Sequence, residues 1–169
     1  EKVEGLGVEK LSLLKTIDIN KLDEMILKSI RLKNSIVLED PKEKNKRKIL
    51  NFGHTLGHAI ESNFLGTKNE ILHGEAIAIG MILEAFLSHI ISGLNFNDLN
   101  NINKTINHFF RKIKINDDEV IKIICLLKHD KKTVEGKVNF VLLNRIGYPK
   151  IDVLVNKNQI KEAFKFYNS

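Results

Sequence analysis

Between Ile19 and Leu38, apolar residues at Leu22, Met25, Ile26, Ile30 and Leu32 recur at helical spacing, which predicts a helix capped by Asp18 or Asn20. Asp40-Pro41 breaks it, and Lys42 to Lys48 follows as a charged connector or the first turn of the next element. Ile49 to Phe64 reads as a second helix and Gly66 to Asn69 as a loop. His73-Gly74-Glu75 opens a third helix, with Glu75 favourably placed at its positive end. Its continuation, Ala76 to Leu94, is the most apolar run, interrupted by Glu84, Ser88 and His89. It reads as a helix buried nearly all round, and no segment is expected to reach membrane length. Asn97 to Ile113 and Asp117 to Lys128 are the fourth and fifth helices. The period then changes to two: Val138, Phe140 and Leu142 follow the turn Glu135-Gly136-Lys137 as a strand, and Ile151 to Val155 is a second. Asn156 or Asn158 caps a last helix that runs to Phe166. The expected fold is mainly α, one helical domain with a small β-hairpin. A strand–glycine loop–helix unit is missing, so a dinucleotide-binding domain is not encoded.

Composition narrows the class. Of 169 residues, 43% are apolar and 28% charged, which fits a globular chain and excludes disorder as the main state. The single Cys125 excludes an internal disulfide framework and a multi-cysteine zinc site, and points to a reducing compartment. It lies between Ile124 and Leu126 and is expected to be packed. The net charge of +6 suits an anionic partner. Without Trp, and without a recognisable nucleic-acid motif, a phosphate-bearing small molecule fits better than nucleic acid.

The chemistry-bearing residues cluster. His54 and His58 are four apart on one helix, and His73 lies across a loop from which it can return to the same point. The pair can chelate one metal, set one ligand beside a catalytic base, or be a plain surface or core pair. Thr55 stands where the zincin pattern needs Glu, which disfavours metalloprotease chemistry. Gly53, Gly57 and Gly74 flank these histidines at about 1 kcal/mol each relative to Ala. That cost suggests close approach by a ligand or backbone, or tight helix packing. Glu61 either orients His58 or lies on the surface, and Glu43 and Arg47 are spaced as an i, i+4 pair. His89 is expected to be a hydrogen-bonded core residue. No role attaches to His108 or His129.

Arg47 to Glu61, Leu72 to Met81, Asp130-Lys131-Lys132, Phe140 to Leu143 and Lys33 together resemble the 3-dehydroquinate synthase family, over roughly Leu22 to the end. The resemblance implies conversion of 3-deoxy-arabino-heptulosonate 7-phosphate to 3-dehydroquinate and phosphate, a lyase step of the shikimate pathway in aromatic amino acid biosynthesis. It implies NAD and a divalent metal, usually zinc. It makes His54 and His73 metal ligands, His58 and Glu43 proton-transfer groups, and Lys33, Arg47, Asn51 and Lys131 or Lys132 substrate-binding residues. Zinc would stabilise the alkoxide that precedes hydride transfer, and Arg47 can grip a carboxylate through two parallel hydrogen bonds.

The family's third metal ligand is a glutamate that Glu1 to Lys15 does not match. The chain is therefore expected to be a single C-terminal domain over residues 1–169, without the NAD-binding domain. It is expected to hold metal weakly or not at all by itself and to be inactive alone. The family resemblance further implies a cytoplasmic enzyme that is a homodimer at full length, with no nucleic-acid or membrane partner. The alternatives are a related sugar-phosphate cyclase, a glycerol-dehydrogenase-like enzyme, or a non-catalytic helical interaction domain.

Overall fold

The computed structural model describes residues 19–128, 133–134 and 137–169, with side chains described for 22–127 and 138–169. Asp18, His129, the Asp130-Lys131-Lys132 motif and the turn at 135–136 lie outside the described residues, while Asn20, the other expected cap of the first helix, falls inside that helix.

Among the described residues, six α-helices and a three-stranded antiparallel sheet follow in this order: α1 (Ile19–Glu39), a 3-10 turn (Lys46–Asn51), α2 (His54–Phe64), α3 (His73–Leu87), α4 (Phe96–Phe109), α5 (Asp117–Lys128), β1 (Thr133–Val134), β2 (Lys137–Arg145), β3 (Tyr148–Val155) and α6 (Lys157–Asn168). The mainly helical fold with a β-hairpin is as the sequence pattern requires. The strands β2 and β3 pair from Val138↔Val155 to Arg145↔Tyr148.

Helix α3 is the centre. It packs on α2, α4, α6 and β2, and Ala76, Ile79, Ile82, Leu83, Ala85 and Leu87 have almost no exposure. Such burial removes roughly 25 cal/mol of unfavourable hydration per Å² of apolar surface, which makes this helix the main contributor to the core. With the π-helical turn that follows (Ser88–Ser92), it forms a run of 20 residues. By length and composition that run could cross a membrane, so the expectation that none reaches that length is corrected. Here it is buried against its neighbours as a core helix.

Ser88 shows how the π turn is held. Its Oγ donates to the Glu84 carbonyl (2.6 Å) and accepts from the Leu143 N–H (2.8 Å), joining α3 to β2. His89 lies half-buried in the same turn, and its Nδ1 bonds the Leu94 carbonyl at 2.7 Å, as expected of a core histidine.

Three further readings change. The segment Ile49 to Phe64 is not one helix: Gly53, at φ +83°, separates the 3-10 turn from α2. The fourth helix ends at Phe109, not Ile113. The following segment is held by α6 instead: the Tyr167 hydroxyl accepts from Ile113 N–H at 3.1 Å, and Asn168 exchanges hydrogen bonds with Ile115. Cys125 is exposed on α5, not packed. It falls on the outer side between the buried Ile124 and Leu127, beside the exposed Leu126.

On α1, Leu22, Ile26 and Ile30 recur every fourth residue and are at least one-third exposed, so the helical period there forms an outward stripe.

Candidate metal and substrate site

The three histidines meet. Their ring centroids are 5.4 Å apart for His54–His58, 5.7 Å for His58–His73 and 6.2 Å for His54–His73. One nitrogen from each lies within 4.8 Å of the others. Two nitrogens that share a metal at about 2.0–2.1 Å are at most about 4.2 Å apart, so a small side-chain rotation closes the set. His58 and His73 are exposed, while His54 is half-buried.

Local sequence puts them there. His54 is the first residue of α2, and His58 stands one turn later on the same face. His73 is the first residue of α3, whose start is fixed by Glu75 reaching back to accept from the Leu72 N–H at 2.9 Å. The two helices approach closely because of glycines. A Cβ on Gly80 would run into the Gly53 carbonyl oxygen and come within 2.7 Å of the Gly57 nitrogen. A Cβ on Gly57 would come within 2.6 Å of Ile77. Tight packing therefore accounts for Gly53 and Gly57. Gly74 faces open space, and packing gives no reason for it.

Hydrogen bonding sorts the ring nitrogens. His54 Nδ1 lies 3.2 Å from the Phe52 carbonyl oxygen, which can only accept, so Nδ1 carries the proton. His73 Nδ1 lies 2.9 Å from a Glu61 carboxylate oxygen and likewise donates. In the neutral form both rings then keep Nε2 as the lone-pair nitrogen, and the Glu61–His73 pair is the carboxylate–histidine arrangement that orients a metal-bound imidazole. Glu61 thus bonds His73, where the sequence left it either orienting His58 or on the surface. A donor set of imidazole nitrogens suits zinc or a similar divalent ion.

The second group of expected residues sits on the 40–51 segment. Asp40 organises it: Oδ1 accepts from the Lys44 N–H (3.0 Å), and Oδ2 from those of Asn45 (2.7 Å) and Arg47 (3.1 Å). These backbone hydrogen bonds, with the Arg47 charge, hold the Asp40 carboxyl below its usual range. Glu43 takes φ +52°, accepts from Asn51 Nδ2 at 2.6 Å and lies 3.8 Å from Arg47 Nε. So Glu43, Arg47 and Asn51 form one polar cluster, with Arg47 also donating to the Pro41 carbonyl. Lys48 anchors the turn to the hairpin through both Asp152 oxygens (2.7 and 3.0 Å), and Asp152 itself takes φ +55° at an irregularity in β3. Lys33 is exposed on α1, which packs on this turn.

Sequence reasoning missed Gly80 and Asp40. It also missed the buried Glu84, whose carboxylate accepts the Gly53 and Leu56 N–H groups. Glu84 had a signal: it is the one charge in the middle of the most apolar run.

The fold, a helical domain whose imidazoles meet at the starts of two adjacent helices, is similar to that of solved sugar-phosphate cyclases. The chain matches a structure of 2-deoxy-scyllo-inosose synthase complexed with carbaglucose-6-phosphate, NAD+ and Co2+ (31% identity, TM-score 0.74), covering 87% of this chain and 41% of that one. It shares the fold alone with the 2-epi-5-epi-valiolone synthase of Streptomyces hygroscopicus, bound to NAD+ and Zn2+ (20% identity, TM-score 0.73), covering 94% of this chain and 43% of that one.

The family profile described as 3-dehydroquinate synthase C-terminal matches residues 4–133, and the chain belongs to that family. Among relatives named 3-dehydroquinate synthase, that of Parabacteroides distasonis is 37% identical over 152 residues, 90% of this chain and 43% of its own length. That of Thermodesulfovibrio yellowstonii is 36% identical over 167 residues, 96% of this chain and 45% of its own. The chain thus spans less than half the length of these relatives.

Proposed function

We propose that this chain is the metal- and substrate-binding part of a 3-dehydroquinate synthase, a lyase that converts 3-deoxy-arabino-heptulosonate 7-phosphate to 3-dehydroquinate and phosphate in the shikimate pathway. The observation that carries the reading is the meeting of His54, His58 and His73, with the Nε2 lone pairs of His54 and His73 both left for a metal. In this reading His54 and His73 hold a divalent ion, zinc by preference. When bound, that ion supplies Lewis-acid stabilisation of a substrate alkoxide. NAD is held by the part of the longer relatives that this chain does not span.

The chain's own residues do the rest. Glu61 keeps His73 in its Nδ1–H form and fixes the ring plane. His58, exposed beside the other two rings, is the group that moves a proton at the substrate. Glu43 is the second proton acceptor. Asn51 donates to its Oε1, which leaves its other oxygen toward Arg47. Arg47 and Asn51 grip carboxylate and hydroxyl groups, and Lys33 with Lys131 or Lys132 adds charge for the phosphate. With two histidine ligands and no third protein ligand described, the chain by itself binds zinc weakly and does not turn over. It acts in the cytoplasm as part of a homodimer, as a single C-terminal domain.

Titrating the isotopically labelled chain with the heptulosonate phosphate in the presence of zinc tests this. Shifts at Arg47, Asn51, His54, His58 and His73 are expected, and no 3-dehydroquinate. Binding elsewhere, or turnover by the 169 residues, contradicts the reading. A second reading, a cyclase for another sugar phosphate, is favoured by the 31% identity to 2-deoxy-scyllo-inosose synthase. Competition between the heptulosonate and a hexose 6-phosphate separates the two.

A further inference from the structure

Glu84 has no part in the site as described so far. It lies on α3 with no solvent exposure. Its Oε2 accepts from the Gly53 N–H at 2.6 Å and its Oε1 from the Leu56 N–H at 3.2 Å. Gly53 precedes α2, and Leu56 is the helix's third residue. The carboxylate therefore fills the place of a capping side chain. The chain supplies none locally: Gly53 has no side chain, and its φ of +83° disfavours a residue that has one. The close approach at Gly80 brings α3 near enough for Glu84 to reach. A negative group at this end of α2 also meets the positive end of the helix dipole.

The first turn that Glu84 holds begins with His54 and leads to His58. Fixing the Gly53 and Leu56 amides fixes the direction in which α2 leaves the 3-10 turn. With it are fixed the Phe52 carbonyl that receives His54 Nδ1–H and the line on which His58 projects.

We propose that Glu84 is a positioning residue for the imidazole cluster: by capping α2 from the neighbouring helix, it holds His54 and His58 in register with His73, and this capping is coupled to metal occupancy. The inference rests on the metal reading above. Coupling between two sites is reciprocal, so metal must strengthen the cap as much as the cap strengthens metal binding.

The test uses the 169-residue chain, zinc ion as the probe, amide hydrogen exchange and zinc titration. In the unaltered protein, zinc is expected to slow exchange at Gly53 and Leu56 and to leave Ile113 unchanged, since Tyr167 holds Ile113 in another part of the fold. Glu84→Gln keeps the shape but turns an amide N–H toward one of the two backbone donors. It is expected to weaken zinc binding about tenfold or more, the usual effect of losing a group that orients a metal ligand. A purely structural role would lower the melting temperature, leave zinc affinity unchanged, and leave the Gly53 and Leu56 amides indifferent to zinc; that result overturns the proposal. If Glu84→Gln does not fold, exchange in the unaltered protein decides alone. His54→Ala and His73→Ala separate the two levels. If both lose zinc and Glu84→Gln does not, only this inference fails. If both bind zinc as the unaltered chain does, the metal reading falls and this inference with it.

Discussion

The two halves of the site are built differently. The histidine corner is made by the core: α2 and α3 touch backbone to backbone at Gly53, Gly57 and Gly80, with a buried carboxylate joining them. The 40–51 segment is held by hydrogen bonds and ion pairs at the surface. Asp40 gathers three amides, and Lys46–Glu39, Lys48–Asp152 and Arg47–Glu43 are partly exposed ion pairs. Packing sets the first half, where Glu61–His73 is the exposed charge contact among the described residues. Charge sets the second and is screened by salt. On the proposed function, the fixed half is the one that holds the metal and the softer half the one that grips and releases the anionic substrate.

The largest expected effect breaks the first half. Gly80→Val drives side-chain carbons into the backbone of Gly53 and Gly57, where neither side can yield. About 3 kcal/mol is expected, at the upper end of overpacking costs, with loss of the cooperative thermal transition or a fall of roughly 10 °C. A melting temperature within 2–3 °C of the unaltered chain, about 1 kcal/mol, contradicts the tight contact. Next comes Tyr167→Phe, outside both halves. It leaves the Ile113 amide without its acceptor and is expected to cost about 1–2 kcal/mol in denaturant unfolding. Zinc affinity stays the same.

Lys48→Met is smaller. A half-exposed ion pair is worth about 0–1 kcal/mol, so global stability barely moves. The expected result is faster amide exchange confined to residues 46–51, an effect that salt reproduces in the unaltered protein. Exchange that also rises at His54 to His58 means the halves are not separate. Acid is the mildest probe. The folded pKa of Asp40 is depressed, so its contribution is complete above the ordinary value of 3.8 and is lost as pH falls below that toward the folded value. Amides of Lys44, Asn45 and Arg47 are expected to open in that window before α3 does. Simultaneous opening contradicts the division.

The same division explains what the sequence disclosed. Helical and strand periods located the six described helices and the strands β2 and β3, where outside α1 burial enforces the period; the two-residue β1 and the 3-10 turn carry no such period and are not legible from it. Boundaries slipped where a single residue overrides it: Gly53 splits the helix read over Ile49 to Phe64, and Phe110 ends α4 early because α6 holds the following segment. The histidines stood out by spacing. Their partners did not, because Glu61 reaches twelve residues along the chain to His73, and Glu84 about thirty to Gly53 and Leu56. Such contacts have no local pattern. The Asp40 cradle is local, yet its three amides donate to the carboxylate only after Asp40-Pro41 has turned the chain.

The central claim is that His54 and His73 offer Nε2 to one shared ion. Long-range nitrogen–proton spectra of the imidazoles, followed as zinc is raised to millimolar levels, test it directly. The account predicts both rings as Nδ1–H tautomers before zinc, with their Nε2 resonances moving together along a single weak binding curve. Nε2–H tautomers, or two rings that respond to zinc independently or not at all, would contradict it.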